Sequence, residues 1–311
     1  MAKSKTAFNL ADYIVPLNMN GMRGRMLRLP APKNKQREIL MVYGHHASIE
    51  RMQGFAEELN KYGAVTVPDL PGMGGMDSFY KVGEVPSLDN MADYLAAFVK
   101  LRYRRKRVTI LAMSWGFVIA THMLQRYPEL VKKVDLLISI VGFVHAEDFV
   151  FSNRTKLTAR IISSVFSGRL TAGFVQHVIL RGPIIRATYR LVADKHVKLR
   201  DADEAEREKR IKFEIGLWQM NDIRTYMDNM FTMLKLDLCN AKVDLPVWHV
   251  SVEPDRYFDN QVVEQHMNII FNEVTVVHSK MKGGHAPTVI ANAKEAAPFI
   301  PAKIRRLLAK K

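Results

Sequence analysis

Residues 107–127 read RVTILAMSWGFVIATHMLQRY, a short apolar run followed by a turn and a helix-like segment. The apolar run predicts a buried strand, and the apolar spacing after Trp115 predicts a helix. Ser114 stands at the corner between them, with Ala112 and Gly116 two positions away on either side. Small residues are needed there because the strand and the helix pass close together. The pattern predicts a nucleophile elbow; a serine that only caps the helix is the alternative interpretation.

Strands and helices alternate on both sides of this stretch. Residues 12–30 predict a hairpin that turns at Asn20-Gly21. Further short apolar runs of the buried-strand type cover residues 38–43, 64–68, 134–141, 246–250 and 274–277. This order predicts an α/β fold with a doubly wound, mostly parallel sheet. In such sheets ligands bind beyond the carboxyl ends of the strands, where Gly44, Asp69 and Ser114 all fall.

The sheet pattern is interrupted in the middle of the chain. Residues 146–236 contain helical segments and no convincing strand. We therefore expect a core formed by residues 1–145 and 237–311, with residues 146–236 inserted as an all-helical cap.

Composition indicates a globular protein of a reducing compartment. Hydrophobic residues make up 48% of the chain, and Cys239 is its single cysteine, which excludes an internal disulfide framework. The first residues lack the apolar run of a signal peptide, and no stretch approaches 18 uninterrupted apolar residues. We expect a soluble, cytoplasmic protein.

The formal net charge of +15 favours contact with polyanions. Yet the basic residues are spread over several regions, including residues 100–107, 151–200 and the tail from Lys303. No aromatic-studded groove or nucleic-acid-binding motif accompanies them. We expect a solvated basic surface and no specific nucleic-acid partner.

Two later strand ends supply partners for Ser114. Asp255 follows the predicted strand at 246–250, and His285 follows the one at 274–277. A serine needs a base to take its proton and an acid to orient that base, and His285 and Asp255 can supply these two roles. Asp148 and Asp259 are substitutes for the acid, whereas His266 and His278 are less well placed to act as the base.

Four segments carry a resemblance to a known family: residues 43–46 (YGHH), 69–74 (DLPGMG), 246–255 (PVWHVSVEPD) and 284–287 (GHAP). They resemble the oxyanion loop, the Asp-x-x-Gly-x-Gly turn, the acid strand and the histidine loop of the α/β-hydrolase fold superfamily. The chain is similar to serine hydrolases of this superfamily with a helical cap, from about residue 13 to 308. It departs from the pattern at Tyr43, which replaces a histidine, and at Val252, where glycine is common.

The resemblance implies acyl transfer to Ser114, with His285 as base and Asp255 as its orienting acid. Backbone N–H groups of His45 and Trp115 would form the oxyanion hole. The side chains expected to line the substrate pocket are Tyr43, His46 and Met113. No cofactor is implied, and no metal is expected, because the adjacent His45 and His46 point apart and lack a third ligand.

The substrate is predicted to be a small hydrophobic or anionic ester. Apolar residues of the cap alternate with Arg160, Arg169, Arg181, Arg186 and Arg190, which also favours peripheral contact with an anionic membrane. An ordinary cap packed on the sheet is the alternative interpretation. Other enzymes of the same fold also keep a serine: acyltransferases, carbon–carbon bond hydrolases and cofactor-free haloperoxidases. A non-catalytic binder of this fold is a further alternative, against which the intact Ser, His and Asp set argues.

Overall fold

The sheet begins with the hairpin that Asn20-Gly21 predicts. In the computed structural model, which describes residues 9–191, 203–279 and 292–310, both turn residues have positive φ, 51° and 80°. Positive φ at both central positions matches the right-handed twist of the strands that follow. The two strands, β1 (Ile14–Met19) and β2 (Met22–Leu29), are antiparallel.

Six further strands complete an eight-stranded sheet in the order β1-β2-β4-β3-β5-β6-β7-β8. They are β3 (Arg37–Val42), β4 (Gly63–Pro68), β5 (Val108–Met113), β6 (Val134–Ile140), β7 (Val243–Ser251) and β8 (Phe271–His278). From β4 to β8 every neighbouring pair is parallel. The predicted α/β class and the mostly parallel sheet are therefore confirmed.

One register row fixes the edge of the sheet that matters for function. Met113 on β5 pairs with Ile140 on β6, which pairs with Val250 on β7, which in turn pairs with Val277 on β8. The carboxyl ends of four parallel strands therefore stop at the same level. Ser114 and the segments that lead toward Asp255 and residue 279 all leave the sheet from this row.

Helices flank the sheet and connect its strands. Those outside the interruption are α1 (Gln53–Asn60), α2 (Leu88–Arg102), α3 (Trp115–Arg126), α9 (Asn260–Ile270), α10 (Ala293–Ala296) and α11 (Ala302–Ala309). All six residues of β5 and most of α3 are buried, so the elbow lies in the centre of the core. Burial of apolar area at about 25 cal/mol per Å² makes this centre the main source of stability.

Between β6 and β7 the described residues form helices and no strand. These are α4 (Asn153–Phe166), α5 (Arg169–Phe174), a π-helical turn (Val175–Ile179), α6 (Gly182–Leu191), α7 (Glu204–Met220) and α8 (Ile223–Met233). We call this set the helical insertion. Three of these helices begin at a typical N-cap residue. Ser152, Asp203 and Asp222 cap α4, α7 and α8, each by accepting a backbone N–H. The division into core and cap at residues 146 and 236 stays a prediction.

None of the helices in the three described ranges is long and apolar enough to span a membrane.

Candidate active site

Ser114 has the backbone geometry of an elbow. Its φ of 48° and ψ of −121° lie outside the regions that a non-glycine residue normally adopts. The strain is held by hydrogen bonds on both sides, since Ser114 N donates to Ile140 O at 3.0 Å and Phe117 N donates to Ser114 O at 2.9 Å. Such stored strain is typical of functional positions. The side chain is partly exposed, although its neighbours on β5 and α3 are buried.

Gly116 explains why the corner needs a small residue. A Cβ placed there would lie 2.5 Å from Val42 O and even nearer to Tyr43 O. These are backbone atoms of the strand end beside the elbow, so they cannot move aside cheaply. The other flanking position, Ala112, is completely buried. The sequence interpretation of the small flanking residues thus agrees with the packing.

The loop after β3 lies directly against Ser114. A Cβ on Gly44 would be 3.1 Å from Ser114 Cβ and 3.7 Å from Ser114 Oγ. Gly44 therefore keeps the loop close to the hydroxyl, and the next residue is His45. This is the neighbourhood in which the predicted backbone donors, His45 N and Trp115 N, would act. The oxyanion role of the two N–H groups stays a prediction.

The His45 ring is held by the helical insertion. Its Nε2 donates to Tyr226 O at 3.1 Å, and the two rings pack at a tilt of 33° with their centroids 4.2 Å apart. Burial, followed by the nearby His46, lowers the pKa of His45 to about 3. The ring is therefore neutral at pH 7 and carries its proton on Nε2. Sequence reasoning missed Tyr226, because a contact between residues so far apart leaves no local signal.

His46 joins the loop to the insertion through a cluster of polar side chains. Its φ is 54°, and its ring packs 4.0 Å from that of Trp218. Arg51 donates to His46 O at 2.9 Å and forms a buried ion pair with Glu214. Asn221 Nδ2 lies 3.3 Å from His46 Nδ1, while Asn221 Oδ1 accepts from Gly74 N at 2.9 Å. We call His46, Arg51, Glu214 and Asn221 the junction cluster.

The other two predicted pocket side chains lie mostly in the interior. Tyr43 is completely buried; its hydroxyl donates to Asp69 at 2.9 Å and accepts from Leu70 N at 2.8 Å. Met113 is 2% exposed. Tyr43 thus uses its hydroxyl to hold the turn after β4. The pocket role of Tyr43, His46 and Met113 stays a prediction.

Asp69, the first residue of the turn that resembles the family's motif, is buried in a charged environment. Arg25 Nε donates to Asp69 Oδ2 at 2.7 Å, and the same guanidinium forms two hydrogen bonds with Glu50, at 2.6 and 2.9 Å. Burial outweighs the attraction of Arg25 and raises the pKa of Asp69 to about 8. This arrangement fixes the turn below the loop that carries His45.

The three candidate acids differ in the groups to which they are hydrogen-bonded. Asp259 accepts from Gln261 N and Val262 N and caps α9. The buried Asp148 accepts from two backbone N–H groups and from His266 Nδ1, the last at 2.5 Å. Asp255 accepts from Tyr257 N at 2.8 Å in the turn beyond β7. All three carboxylates therefore have structural partners, and the choice of Asp255 as the acid stays a prediction.

The candidate bases that the structure describes, His266 and His278, also have hydrogen-bond partners. His266 is paired with Asp148, and His278 Nδ1 bonds Ser251 Oγ at 2.8 Å at the end of β8. His285 lies outside the described residues, as does the whole of 280–291. Its contacts with Ser114 and Asp255 stay predictions.

A histidine pair away from the elbow has the spacing of metal ligands. His145, Glu147 and His266 can bring one ligand atom each within 4.8 Å of the others. In this structure His145 Nδ1 accepts from Glu147 N at 3.1 Å and caps a short 3₁₀ helix, while His266 donates to Asp148. The prediction that no metal binds considered only His45 and His46, and it stays a prediction.

A cleft of about 380 Å³ lies along α7 and is lined by Phe213, Leu217 and Met220 together with Lys209 and Arg210. Neither Ser114 nor His45 lines it. The cleft therefore lies apart from the predicted substrate pocket.

Comparison with known proteins agrees with this geometry. Residues 33–270 match the model of the serine aminopeptidase S33 family. A search of curated proteins found no match.

Three solved structures are similar to the chain, all at low sequence identity. The enol-lactonase from Burkholderia xenovorans LB400 has a TM-score of 0.65 at 12% identity, over 96% of this chain and 100% of its own. The esterase from Exiguobacterium antarcticum has a TM-score of 0.64 at 12% identity, over 93% and 97%. MenH from S. aureus has a TM-score of 0.62 at 13% identity, over 92% and 99%.

The family match covers well over half of the chain, and the structural neighbours share its fold. The chain is therefore an α/β-hydrolase enzyme and belongs to the serine aminopeptidase S33 family of that superfamily.

Proposed function

We propose that the chain hydrolyses a small ester-like substrate through a Ser114–His285–Asp255 triad and an acyl-enzyme. The observation that carries the proposal is the strained backbone of Ser114, held at φ 48° between a fully buried strand and a mostly buried helix, with Gly44 against its side chain. An ordinary helix cap does not require such strain, and the Ser114 side chain makes no cap hydrogen bond to α3.

In the proposed reaction Ser114 Oγ attacks the acyl carbon while His285 takes the hydroxyl proton. His285 then gives this proton to the leaving group, and Asp255 orients the ring and stabilises its charged form. His45 N and Trp115 N would donate to the oxyanion, and losing one such donor typically costs about 10²–10³ in rate. Water, deprotonated by His285, then releases the acyl group and restores Ser114.

The substrate class rests on the same proposal. Hydrolase and esterase neighbours favour small-molecule esters, while the family description also brings aminoacyl amides into consideration. Both undergo the same acyl chemistry. Acyl transfer to an acceptor other than water, carbon–carbon bond hydrolysis, haloperoxidase chemistry and non-catalytic binding remain alternatives. We also propose a cytoplasmic location and peripheral contact between the basic cap and an anionic membrane.

The test is covalent labelling with a fluorophosphonate, in which Ser Oγ forms a bond to phosphorus and fluoride leaves. We expect wild-type protein to be labelled, and Ser114→Ala and His285→Ala to be unlabelled. Ser164→Ala, which alters an exposed serine of α4, is the matched control and should label fully. Asp255→Asn should lose about 10⁴ in turnover of p-nitrophenyl esters or aminoacyl p-nitroanilides, whereas the helix-capping Asp259→Asn should retain activity.

Labelling that persists in Ser114→Ala would contradict the nucleophile. Folded wild-type protein that neither labels nor turns over either substrate class would favour the non-catalytic binder.

A further inference from the structure

The helical insertion exposes a regular apolar stripe along α4. Leu157, Ile161 and Val165 follow one another at four-residue spacing and are 57%, 57% and 52% exposed. This spacing places all three on one side of the helix. Apolar residues on a surface helix normally face the core, so a stripe turned to solvent calls for an explanation.

The next segment repeats the pattern. Leu170, Phe174 and Val178 have the same four-residue spacing along α5 and the π-helical turn, and they are 87%, 56% and 44% exposed. Helices α4 and α5 contact each other, and both pack against α8. The two stripes are therefore carried by neighbouring helices. We call these six side chains the outer face.

The surroundings of the outer face are strongly basic. Residues 151–191 contain seven lysines and arginines and no aspartate or glutamate. Two of them, Arg186 and Arg190, share the single carboxylate of Glu208 on α7. Among the described residues, Arg160 and Arg181 donate to backbone carbonyls and to no carboxylate, so these contacts do not compensate their charge. The apolar side chains thus stand within a net positive field.

We propose that the outer face docks the protein peripherally on an anionic lipid bilayer. Apolar side chains of an interfacial helix enter the boundary between headgroups and acyl chains, while the surrounding cations bind lipid phosphates. A second copy of this chain is a poor occupant, because it would bring a second basic face against the first in a molecule of net charge +15. An uncharged apolar partner would leave the cations without anions to bind.

The docking face and the candidate active site are connected through one helix. Tyr226 of α8 contacts His45, and α4 and α5 pack on the same helix. Docking would therefore place the bilayer against the layer of helices that borders the loop beside Ser114. The proposal does not depend on catalysis, because binding can be measured on Ser114→Ala.

The experiment is co-sedimentation of Ser114→Ala protein with vesicles of phosphatidylcholine alone and of phosphatidylcholine mixed with phosphatidylglycerol. We expect binding to the anionic vesicles and at least tenfold weaker binding to the neutral ones. Leu157→Ser/Ile161→Ser/Val165→Ser should weaken anionic binding at least tenfold. Arg154→Gln/Arg169→Gln/Arg181→Gln should do the same, because each cation near an anionic surface contributes measurably to binding.

Two control variants replace exposed residues of the same kinds elsewhere. Val85→Ser/Leu101→Ser replaces apolar residues that are 56% and 68% exposed outside the insertion, and Lys35→Gln/Arg104→Gln/Arg105→Gln removes three exposed cations there. Both should bind within twofold of the parent protein, and circular dichroism should show all variants folded. Absence of anionic binding in the parent, or equal weakening by the control variants, would overturn the proposal. So would self-association of the parent protein that disappears in the apolar triple variant.

Discussion

The junction cluster joins the helical insertion to the core, whereas the outer face is an exposed surface of the same insertion, and the two regions place opposite kinds of side chain in the interior and in solvent. At the junction, buried charged and polar groups pair across the boundary between core and insertion: Arg51 with Glu214, Gly74 with Asn221, His45 with Tyr226. On the outer face, apolar groups are exposed and cations surround them. A buried charge must be paired to be tolerated, whereas an exposed apolar group costs folding little. We therefore expect junction residues to govern stability and outer-face residues to govern binding.

The largest effect should come from Glu214. Its carboxylate is 2% exposed and pairs with Arg51, whose side chain is 5% exposed. Glu214→Gln leaves this buried guanidinium without a counter-charge, so we expect a loss of about 3 kcal/mol in the free energy of unfolding. The matched control is Glu208→Gln on the same helix, where a 35% exposed carboxylate pairs with Arg186 and Arg190. Exposed pairs are worth about 0–1 kcal/mol.

Urea denaturation of the two variants beside wild type measures both values. Equal losses would mean that the ion pair at the junction is no more important than those at the surface, and the contrast between the two regions would fail.

A smaller, pH-dependent effect should come from His45. Its pKa of about 3 in the folded chain lies below the ordinary value of 6.5, so the unfolded state holds more protons between these values. The free energy of unfolding therefore gains a contribution that rises with pH through this window and is lost as pH falls from about 6.5 toward 3. One group contributes at most about 1.4 kcal/mol per pH unit, and the residual exposure of the ring reduces that.

His45→Gln keeps a donor for Tyr226 O and removes the titration. We expect its stability to fall less steeply than that of wild type between pH 6.5 and 5, as measured by urea midpoints at several pH values. The raised pKa of Asp69 has the opposite effect, because it makes the free energy of unfolding fall as pH rises. Asp69 is present in both proteins, so its contribution cancels when their slopes are compared. The control is His177→Gln, which alters an exposed ring in the π-helical turn and should leave the slope unchanged. Equal slopes in wild type and His45→Gln would contradict the assignment.

The sequence predicted what local patterns determine. The apolar run before Ser114, the small residues beside it and the Asn20-Gly21 turn each encode their structure within a few positions, and the fold follows from their order. The helix-capping role of Asp259, which was considered only as a substitute acid, follows a local rule, since an aspartate before a helix is a typical cap. The pairing of Arg51 with Glu214 could not be predicted from local sequence, because it depends on how two distant helices pack. Tyr43 shows the same limit. The resemblance predicted that it lines the substrate pocket, but it did not predict that the Tyr43 hydroxyl donates to Asp69.

The smallest effect on stability should come from the outer face itself. Leu170 is 87% exposed on α5, so Leu170→Gln should change the free energy of unfolding by less than about 0.5 kcal/mol. Leu217→Ala, at a 2% exposed position on α7, is the buried comparison and should cost about 2–5 kcal/mol. A loss above about 1 kcal/mol for Leu170→Gln would mean that its side chain is packed in solution, by another copy or another segment. The outer face would then already be covered, and a bilayer could reach it only by displacing what covers it.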